Sequence, residues 1–462
     1  MNDKSGIREP TAHEYVVKNR LQQDDQAIHG WYRFVLGYPP HLVREYLKSL
    51  ELDPEKDWVL DPFCGTATTP VEARLHGYST LSADANPISV LAARVKLNWE
   101  LDQKITRAKV DDVVNIAISC IMKQGIPPVP ERDYQLSFLS PQVSKLSPKN
   151  NGLIAGFDPD KLLSSQSVEL IPTGFISPKP LLRVLALRYA IEKVVLSQDV
   201  ADFLRLALAY VIVKYAGNVG FGPEVYRLPP KEDADVIDAF TETAVRMLSE
   251  LQTVLDKTPQ PFPPAYIFQE DARDLKSLDS YPLAGAVITS PPYPNEKDYT
   301  RSTRLESVLL GLLENKSELR ALKNSLLRSN TRNVFVNDDD DAYVKDIPSV
   351  VKVAEEIETK RLALGKTSGF ERLYHRVTRL YFGGMYRHFL SLYNKLRSGA
   401  TCAYVVGDQM SYFRVHIHTA ELLADVAIRA GYQVQGIDLW RTRRSTATGV
   451  DLEENVLIFK HP

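Results

Sequence analysis

Residues 57–99 read DWVLDPFCGTATTPVEARLHGYSTLSADANPISVLAARVKLNW. An apolar run at 58–61 ends on Asp61, a tight loop of small residues occupies 62–67, and a helical pattern follows over 68–76. Gly77 stops that helix, a second strand-like run covers 79–83, and a short loop opens another helical pattern at 87–98. Strand, helix, strand, helix in this rhythm predicts parallel strands in a helix-covered sheet. A strand that turns on small residues into a helix lets backbone approach a ligand closely, and Gly65 tolerates the conformations this needs. Asp84 ends the second strand. Alone it reads as a helix N-cap; in a nucleoside-binding α/β fold, an acidic side chain about 20 residues past the loop accepts hydrogen bonds from ribose hydroxyls. Coupled to the loop, the ribose role is favoured.

Working outward, GYPPHLVREYLKSLEL (37–52) reads as a helix opened by proline, and residues 1–30 as polar, helical or loose. From 101 to 264 the rhythm breaks. Helical patterns fall near 102–123, 180–196, 199–216 and 234–256, separated by GIPPVPERDY and a Ser/Pro/Asn-rich stretch reaching to about 180. The rhythm resumes with strands at 265–269 and 283–289 and a helix near 303–314. A polar stretch, 315–370, carries the acidic run Asp338–Asp341 and reads as a loop-rich insertion. A long helix (371–397) leads to GATCAYVVGDQ (strand), HTAELLADVAIRAG (helix), YQVQGIDLWRT (strand) and NVLIFKH (strand). The last two strands have no helix between them, so they form an antiparallel hairpin. The expected fold is α/β, with about seven strands, mostly parallel, closed by that hairpin and interrupted by helical insertions. Its expected organisation is a first half over 1–100, a mainly helical insertion over 101–264, and a second half over 265–462 containing the 315–370 insertion.

The totals set limits. A net charge of −2 over 462 residues does not advertise nucleic-acid binding, so any basic footprint is local. Cys64, Cys120 and Cys402 form no CxxC pair, which argues against a zinc cluster or a disulfide scaffold and fits a reducing compartment. No run of ~18 apolar residues occurs and the opening residues are polar, so a cytoplasmic protein without membrane association is expected.

The second informative stretch is AVITSPPYPNEKDY (286–299). Two prolines and a tyrosine in isolation read as a turn. At the carboxyl end of a strand in this βα order they face the crevice where open α/β sheets bind ligands. Together, D-P-F-C-G-T-x-T-T followed by D-x-N-P resembles motifs I and II of S-adenosylmethionine-dependent amino-methyltransferases acting on nucleic acids. Ser-Pro-Pro-Tyr at 290–293 resembles their motif IV in the form typical of cytosine-N4 DNA methyltransferases; adenine-N6 enzymes more often carry D/N-P-P-Y. EDARDL (270–275) is similar to motif III and GYPPHLVREYL to motif X. The resemblance covers short blocks at 30–50, 58–100, 266–312 and, more loosely, 400–460.

It implies a Rossmann-like class I methyltransferase, S-adenosylmethionine as cofactor and DNA as partner, with a cognate restriction or defence system as a possible further partner. Cofactor contacts are expected from Asp61, Pro62, Phe63, Gly65, Thr66, Thr68, Asp84, Ala85, Asn86, Asp271 and Ala272, with Asp271 meeting the adenine ring. Catalysis falls to Ser290, Pro291, Pro292 and Tyr293. An exocyclic amine is a poor nucleophile because its lone pair is delocalised into the ring. Acceptors such as Ser290 and the Pro291 carbonyl, placed around its N–H bonds, stabilise the positive charge that grows on nitrogen. Tyr293 offers a ring face for an extruded base.

Substrate contacts are expected from Asn295, Tyr299, Arg301, Arg304, Arg441, Arg443 and Arg444. The arginines at 301 and 304 read equally as solvated positions at a helix start. Asn218 and Tyr226, in YAGNVGFGPEVYR, are candidates for the base pocket or parts of a plain helix-terminating loop. Arg372, Arg376 and Arg379 recur at helical spacing and read better as the solvated face of a sheet-covering helix. Cys64 reads as a packing residue rather than a nucleophile, and Asp408 as a helix cap. One position departs from the family: Ala67 stands where glycine is usual, and its methyl is expected to narrow the approach to the cofactor. The alternatives are a DNA adenine-N6 enzyme, an RNA base methyltransferase, or a non-catalytic nucleic-acid-binding protein on the same fold. Target recognition is assigned to the insertions.

Overall fold

A computed structural model describes residues 21–33, 37–127, 130, 151–222, 224–295, 298–444 and 449–462. Residues 1–20 and most of the Ser/Pro/Asn-rich stretch before 151 lie outside the described residues, as do Ser445 and Thr446.

Nine strands are described: β1 (Trp58–Asp61), β2 (Ser79–Asp84), β3 (Val219–Phe221), β4 (Val225–Arg227), β5 (Ala265–Gln269), β6 (Ala284–Thr289), β7 (Leu396–Gly407), β8 (Gln433–Arg444) and β9 (Asp451–Lys460). Seven form one sheet in the order β5-β2-β1-β6-β7-β9-β8, while β3 and β4 form a separate antiparallel ribbon. From β5 to β7 all pairs are parallel; β9 runs antiparallel to both β7 and β8. The mostly parallel sheet with its closing hairpin is therefore present. β6, AGAVIT, is buried along its whole length, as expected of a central strand covered on both faces.

The sheet order contains one reversal. From β1 the chain moves outward to β2 and β5, and from β6 it moves the other way to β7. The switch point lies between β1 and β6, where Val59 pairs with Ala286 and Leu60 with Val287. Open α/β sheets bind ligands at such a point, outside the carboxyl ends of the strands.

Helices cover both faces. On one, α1 (Pro40–Ser49) opens on proline, α2 (Thr68–Leu75) follows β1, and α3 (Pro87–Leu97) starts on Pro87 with the Asn86 side chain capping Ile88 N. The helical region supplies α4 (Gln103–Lys123), α5 (Pro178–Val194), α6 (Gln198–Val211) and α7 (Val236–Leu255). Their apolar faces join Val71, Ile88 and Leu91 of α2 and α3 in one continuous cluster. α6 ends in a wide turn over Ile212–Ala216.

The opposite face is covered by α9 (Pro348–Ala363), α10 (Tyr374–Tyr393) and α11 (Thr419–Arg429), packed on β7 and β9 through residues such as Phe389, Leu423 and Phe459. Two expectations are corrected here. The 315–370 stretch is substantially helical, containing α8 (Lys316–Ser325) as well as α9. Neither is strongly apolar, since only Val350, Ala354 and Ile357 of the pair are buried, which is why they read as loop. The helix expected at 303–314 is present but shorter, spanning Arg304–Leu309. The acidic run is structural: Asp338 takes Arg328, and Asp340 takes Arg273 and Arg387. It also lies against Gly383 and Gly384 of α10, where a Cβ would collide with the Asp340 carbonyl and with Leu327, respectively.

Candidate functional site

The loops after β1, β2, β5 and β6 converge on a single cavity of about 740 Å3. Its wall on the β1 side is Pro62, Phe63, Gly65, Thr66 and Thr68, joined by Asp84, Ala85 and Asn86 after β2 and Asp271 and Ala272 after β5. Across from the switch point lie Ser290, Pro291, Pro292 and Tyr293, followed by Asn295 and Tyr299. Arg441 and Arg443 of β8 complete the rim. Asp61, Arg301, Arg304 and Arg444 are not part of the lining.

Asp61 is instead fully buried behind the loop. Its Oδ1 accepts from Phe63 N at 3.1 Å and Thr289 Oγ1 at 2.6 Å, and its Oδ2 from Tyr38 OH at 3.0 Å. Thr289 ends β6, so one carboxylate ties together the two strand ends that flank the switch point. Burial pushes its pKa up to about 7 despite these three donors.

Asp84 faces the cavity. Its Oδ2 accepts from Gly65 N at 2.9 Å and its Oδ1 from Asn86 N at 2.8 Å, so each oxygen keeps a lone pair for a further donor. That pair of acceptors fits the two hydroxyls of a vicinal diol. Crowding raises its pKa to about 6, through desolvation first. Gly65, at φ 48°, takes the left-handed conformation that points its N–H at this carboxylate.

Ala67 also lies in the left-handed region, at φ 71° and ψ 38°, where glycine is the usual residue. Its methyl is wholly buried in the cluster with Val71 and Ile88 and does not line the cavity. The expected narrowing of the approach is absent. Cys64 is buried, and desolvation together with Asp84 and Asp61 holds its thiol well above the usual range. A thiol so held is no nucleophile.

Ser290 donates its hydroxyl proton to the Val405 carbonyl of β7 at 3.0 Å. With the proton spent there, Oγ offers the cavity acceptor lone pairs. Pro291 and Pro292 add no N–H donors. The Tyr293 ring rests against Gly407, where an added Cβ would lie 2.7 Å from Cε2.

Around Asp271 the structure adds partners that the sequence did not suggest. Arg273 clasps its carboxylate through Nε at 3.0 Å and Nη2 at 2.6 Å, and reaches Asp340 through Nη1 at 2.7 Å. His388 of α10 sits beneath: Nδ1 donates to Ala272 O and Nε2 accepts from Tyr404 OH, each at 2.7 Å. Burial lowers its pKa to about 4, so it is neutral, and Phe63 packs against it edge-on at 4.8 Å. Buried Lys96 holds the β1 loop from below, donating to Thr66 O at 2.9 Å and Tyr32 O at 2.6 Å. Its pKa falls to about 7 by desolvation.

The arginines are largely committed. Arg441 pairs with buried Glu454, which also draws Arg443 at 3.6 Å; Arg443 further donates to Asp408 O at 2.8 Å. Arg304 donates to Thr300 O at 2.8 Å, and Arg301 pairs with Glu224 at 3.5 Å. Arg444 alone of the seven substrate candidates is exposed. Asn218 is a structural residue, bonded to Gly174 O, Ser177 and Lys231 N, and is not in the lining. Asp408 caps α11 through Thr419 N at 3.0 Å.

A segment missed in the sequence roofs the cavity: Ser325–Leu327 and Ser329–Asn333. Asn330 Oδ1 accepts from Arg332 N, which fixes the amide orientation, yet its Nδ2 is buried without a partner, as is Asn333 Oδ1. Such orphaned groups at a cavity wall point to a polar ligand. The run has no periodicity to betray it; its Arg-Ser-Asn-Thr-Arg-Asn polarity was the only available signal.

Fold and site together define an open α/β protein whose ligand crevice lies at the switch point of a mostly parallel sheet. The chain is similar to the Type II methyltransferase M.BsoBI of Geobacillus stearothermophilus, 24% identical over 321 residues, covering 67% of this chain and 57% of the relative. It is also similar to the Type II methyltransferase M.MvaI of Kocuria varians, 22% identical over 328 residues, covering 68% of this chain and 64% of the relative. A shorter match, 28% over 160 residues, joins it to the Type II methyltransferase M.AvaI of Nostoc sp., covering 33% of this chain and 31% of the relative. The chain thus spans less than two thirds of the length of each. No family model and no solved structure matches it.

Proposed function

We propose that the chain is an S-adenosylmethionine-dependent DNA methyltransferase that modifies the exocyclic N4 of cytosine in a base extruded from the duplex. The observation that carries this reading is the parallel pairing of β1 with β6, which opens the 61–67 and 290–293 corners onto one cavity. The similarity to Type II methyltransferases supports the reaction class. The Ser-Pro-Pro-Tyr form supports the choice of cytosine N4.

When bound, S-adenosylmethionine supplies an electrophilic methyl on sulfonium sulfur. The Asp84 carboxylate accepts from the ribose hydroxyls, while Gly65 lets the loop backbone approach closely. On the facing wall, Ser290 Oγ and the Pro291 carbonyl accept from the target amine. They favour its pyramidal form and stabilise the positive charge that develops as it attacks. Tyr293, seated on Gly407, provides the stacking face for the flipped base. Asn330 Nδ2 supplies a donor for a base acceptor. Asp61, by joining β1 to Thr289, fixes the separation of the two walls on which in-line geometry depends. No covalent enzyme intermediate is involved, in keeping with the protonated state of Cys64.

Phosphate contact falls to exposed Arg444 and to Arg332 on the cavity roof, which would exchange its exposed partner Glu224, at 3.3 Å, for a phosphate. The helical region, 101–264, and the 315–370 segment carry target recognition. The test is to incubate DNA with labelled S-adenosylmethionine and the protein, digest to nucleosides, and identify the product. N4-methylcytosine is expected. N6-methyladenine would keep the amine chemistry and overturn the base assignment, and label in neither nucleoside would overturn the function.

A further inference from the structure

Beside the cavity, and independent of the proposed reaction, lies a cluster of ligand-type side chains that the mechanism does not use. We propose that Asp408, His416 and His418 form a binding site for one divalent transition-metal ion. Asp408 Oδ2 lies 2.8 Å from His416 Nε2 and 3.2 Å from His418 Nδ1. The three ligand atoms all fall within 4.8 Å of one another. Around a tetrahedral ion with bonds of about 2.0–2.2 Å, neighbouring ligand atoms sit roughly 3.4 Å apart, so the carboxylate and each imidazole, at 2.8 and 3.2 Å, need part only slightly to admit it.

The scaffold is built without help from an ion. Gln409 and Ile417 pair backbone to backbone in both directions, at 3.2 and 2.8 Å, closing the 408–418 loop as a short antiparallel bridge. His416 and His418 flank Ile417 at i and i+2, so in an extended segment both project to the same side. Asp408 stands next to Gln409 on the facing segment, its Oδ1 pinned by Thr419 N at 3.0 Å and its Oδ2 turned to the imidazoles. The two rings stack with centroids 3.7 Å apart.

Exposure decides how the site is completed. Asp408 is buried at 3%, while His416 and His418 are 31% and 50% exposed, so the remaining coordination positions open to water. Two imidazole nitrogens and one carboxylate oxygen suit Zn2+, Co2+ or Ni2+ rather than Mg2+ or Ca2+. Binding displaces the N–H proton that faces Asp408 Oδ2, and each neutral ring then carries its proton on the outer nitrogen.

The ion's place suggests its use. Gln409 and Ser411 of the same loop line the cavity, and Arg443 donates to the Asp408 carbonyl. Phe413 and Arg414 hold consecutive left-handed conformations, at φ 53° and 60°, which L residues adopt only under constraint. An ion bridging the two ends of this loop clasps it against the cavity wall.

The test is a titration of tag-free protein with Co2+, followed by its visible ligand-field absorption, alongside thermal melts with Zn2+. One saturable equivalent is expected, weakened by more than about tenfold in His416→Ala and in His418→Ala, with circular dichroism unchanged. Zn2+ should raise the melting temperature of the unaltered protein and leave that of the double variant alone. No saturable signal at millimolar Co2+, or an undiminished equivalent in both single variants, overturns the proposal. If the double variant does not fold, the melt of His418→Ala, changed at the half-exposed position, gives the same decision.

Discussion

Replacing Ser290 by alanine removes one oxygen and tests the chemistry of the amine-facing wall. The hydroxyl does two things: it donates to Val405 O at 3.0 Å and turns its lone pairs to the cavity. Losing the first costs about 0.5–1.5 kcal/mol of stability, which a chain of this size survives folded. Losing the second removes a preorganised acceptor from a site where charge develops, an effect of about 2.7–4 kcal/mol, or 10²–10³ in kcat, for comparable single groups. Because the Pro291 carbonyl remains, the expected loss lies near the lower end, about a hundredfold. Asp84 and Gly65 stand on the other wall, so cofactor affinity should be unchanged. Methyl transfer from tritiated cofactor at saturating DNA gives kcat, and calorimetry gives the affinity. A kcat within about twofold of the unaltered protein would refute the acceptor role.

Asp84→Ala should do the reverse, weakening cofactor binding about 10–100-fold by loss of charge-assisted hydrogen bonds, with a smaller effect on kcat at saturation. Because hydroxyl donors favour the carboxylate and its pKa is raised to about 6, calorimetric affinity should fall roughly tenfold per pH unit below that value and be flat above it. For the free protein the sign is opposite: a folded pKa raised from 3.8 to about 6 means stability from this group is lost as pH rises through that window. Gly407→Ala places a methyl 2.7 Å from Tyr293 and 3.2 Å from Glu454, displacing the ring; kcat should drop by about tenfold or more while cofactor affinity holds. In Ala67→Gly, relief of the left-handed strain offsets the lost buried methyl and the freer unfolded chain, so melts should show a change within about 1 kcal/mol. Cofactor affinity should not change, and a tenfold gain would show that the methyl obstructs the site after all.

Strand–loop–helix order carried most of the fold because β1, β6 and the 400–407 part of β7 are apolar runs bounded by Gly, Pro or Asp, while β2, though largely polar, is set off by Gly77 and Asp84. The cavity's two corners were legible for the same reason: Asp84 and Ser290 stand at strand ends, where the chain order itself determines what faces the crevice. The rest depends on contacts distant in sequence. Asp61 ends β1 as a cofactor loop residue would, yet Thr289 and Tyr38 hold it buried behind the loop, and nothing local announces that. Lys96 and His388 reach the site from mid-helix positions whose depth only the packed structure defines. Arg441 and Arg443 looked free because Glu454, their partner, comes from the facing strand. The roof at 325–333 is mostly polar, and the contacts that hold it, Arg273 to Asn324 O and Arg328 to Asp338, are not announced by any local pattern.

The most direct measurement is a crystal structure with S-adenosylhomocysteine bound. The ribose hydroxyls should lie on the Asp84 carboxylate, with the sulfur turned toward the gap between Thr66 and Ser290. A ligand seated away from Asp84, or one whose sulfur faces away from the 290–293 corner, would contradict this arrangement.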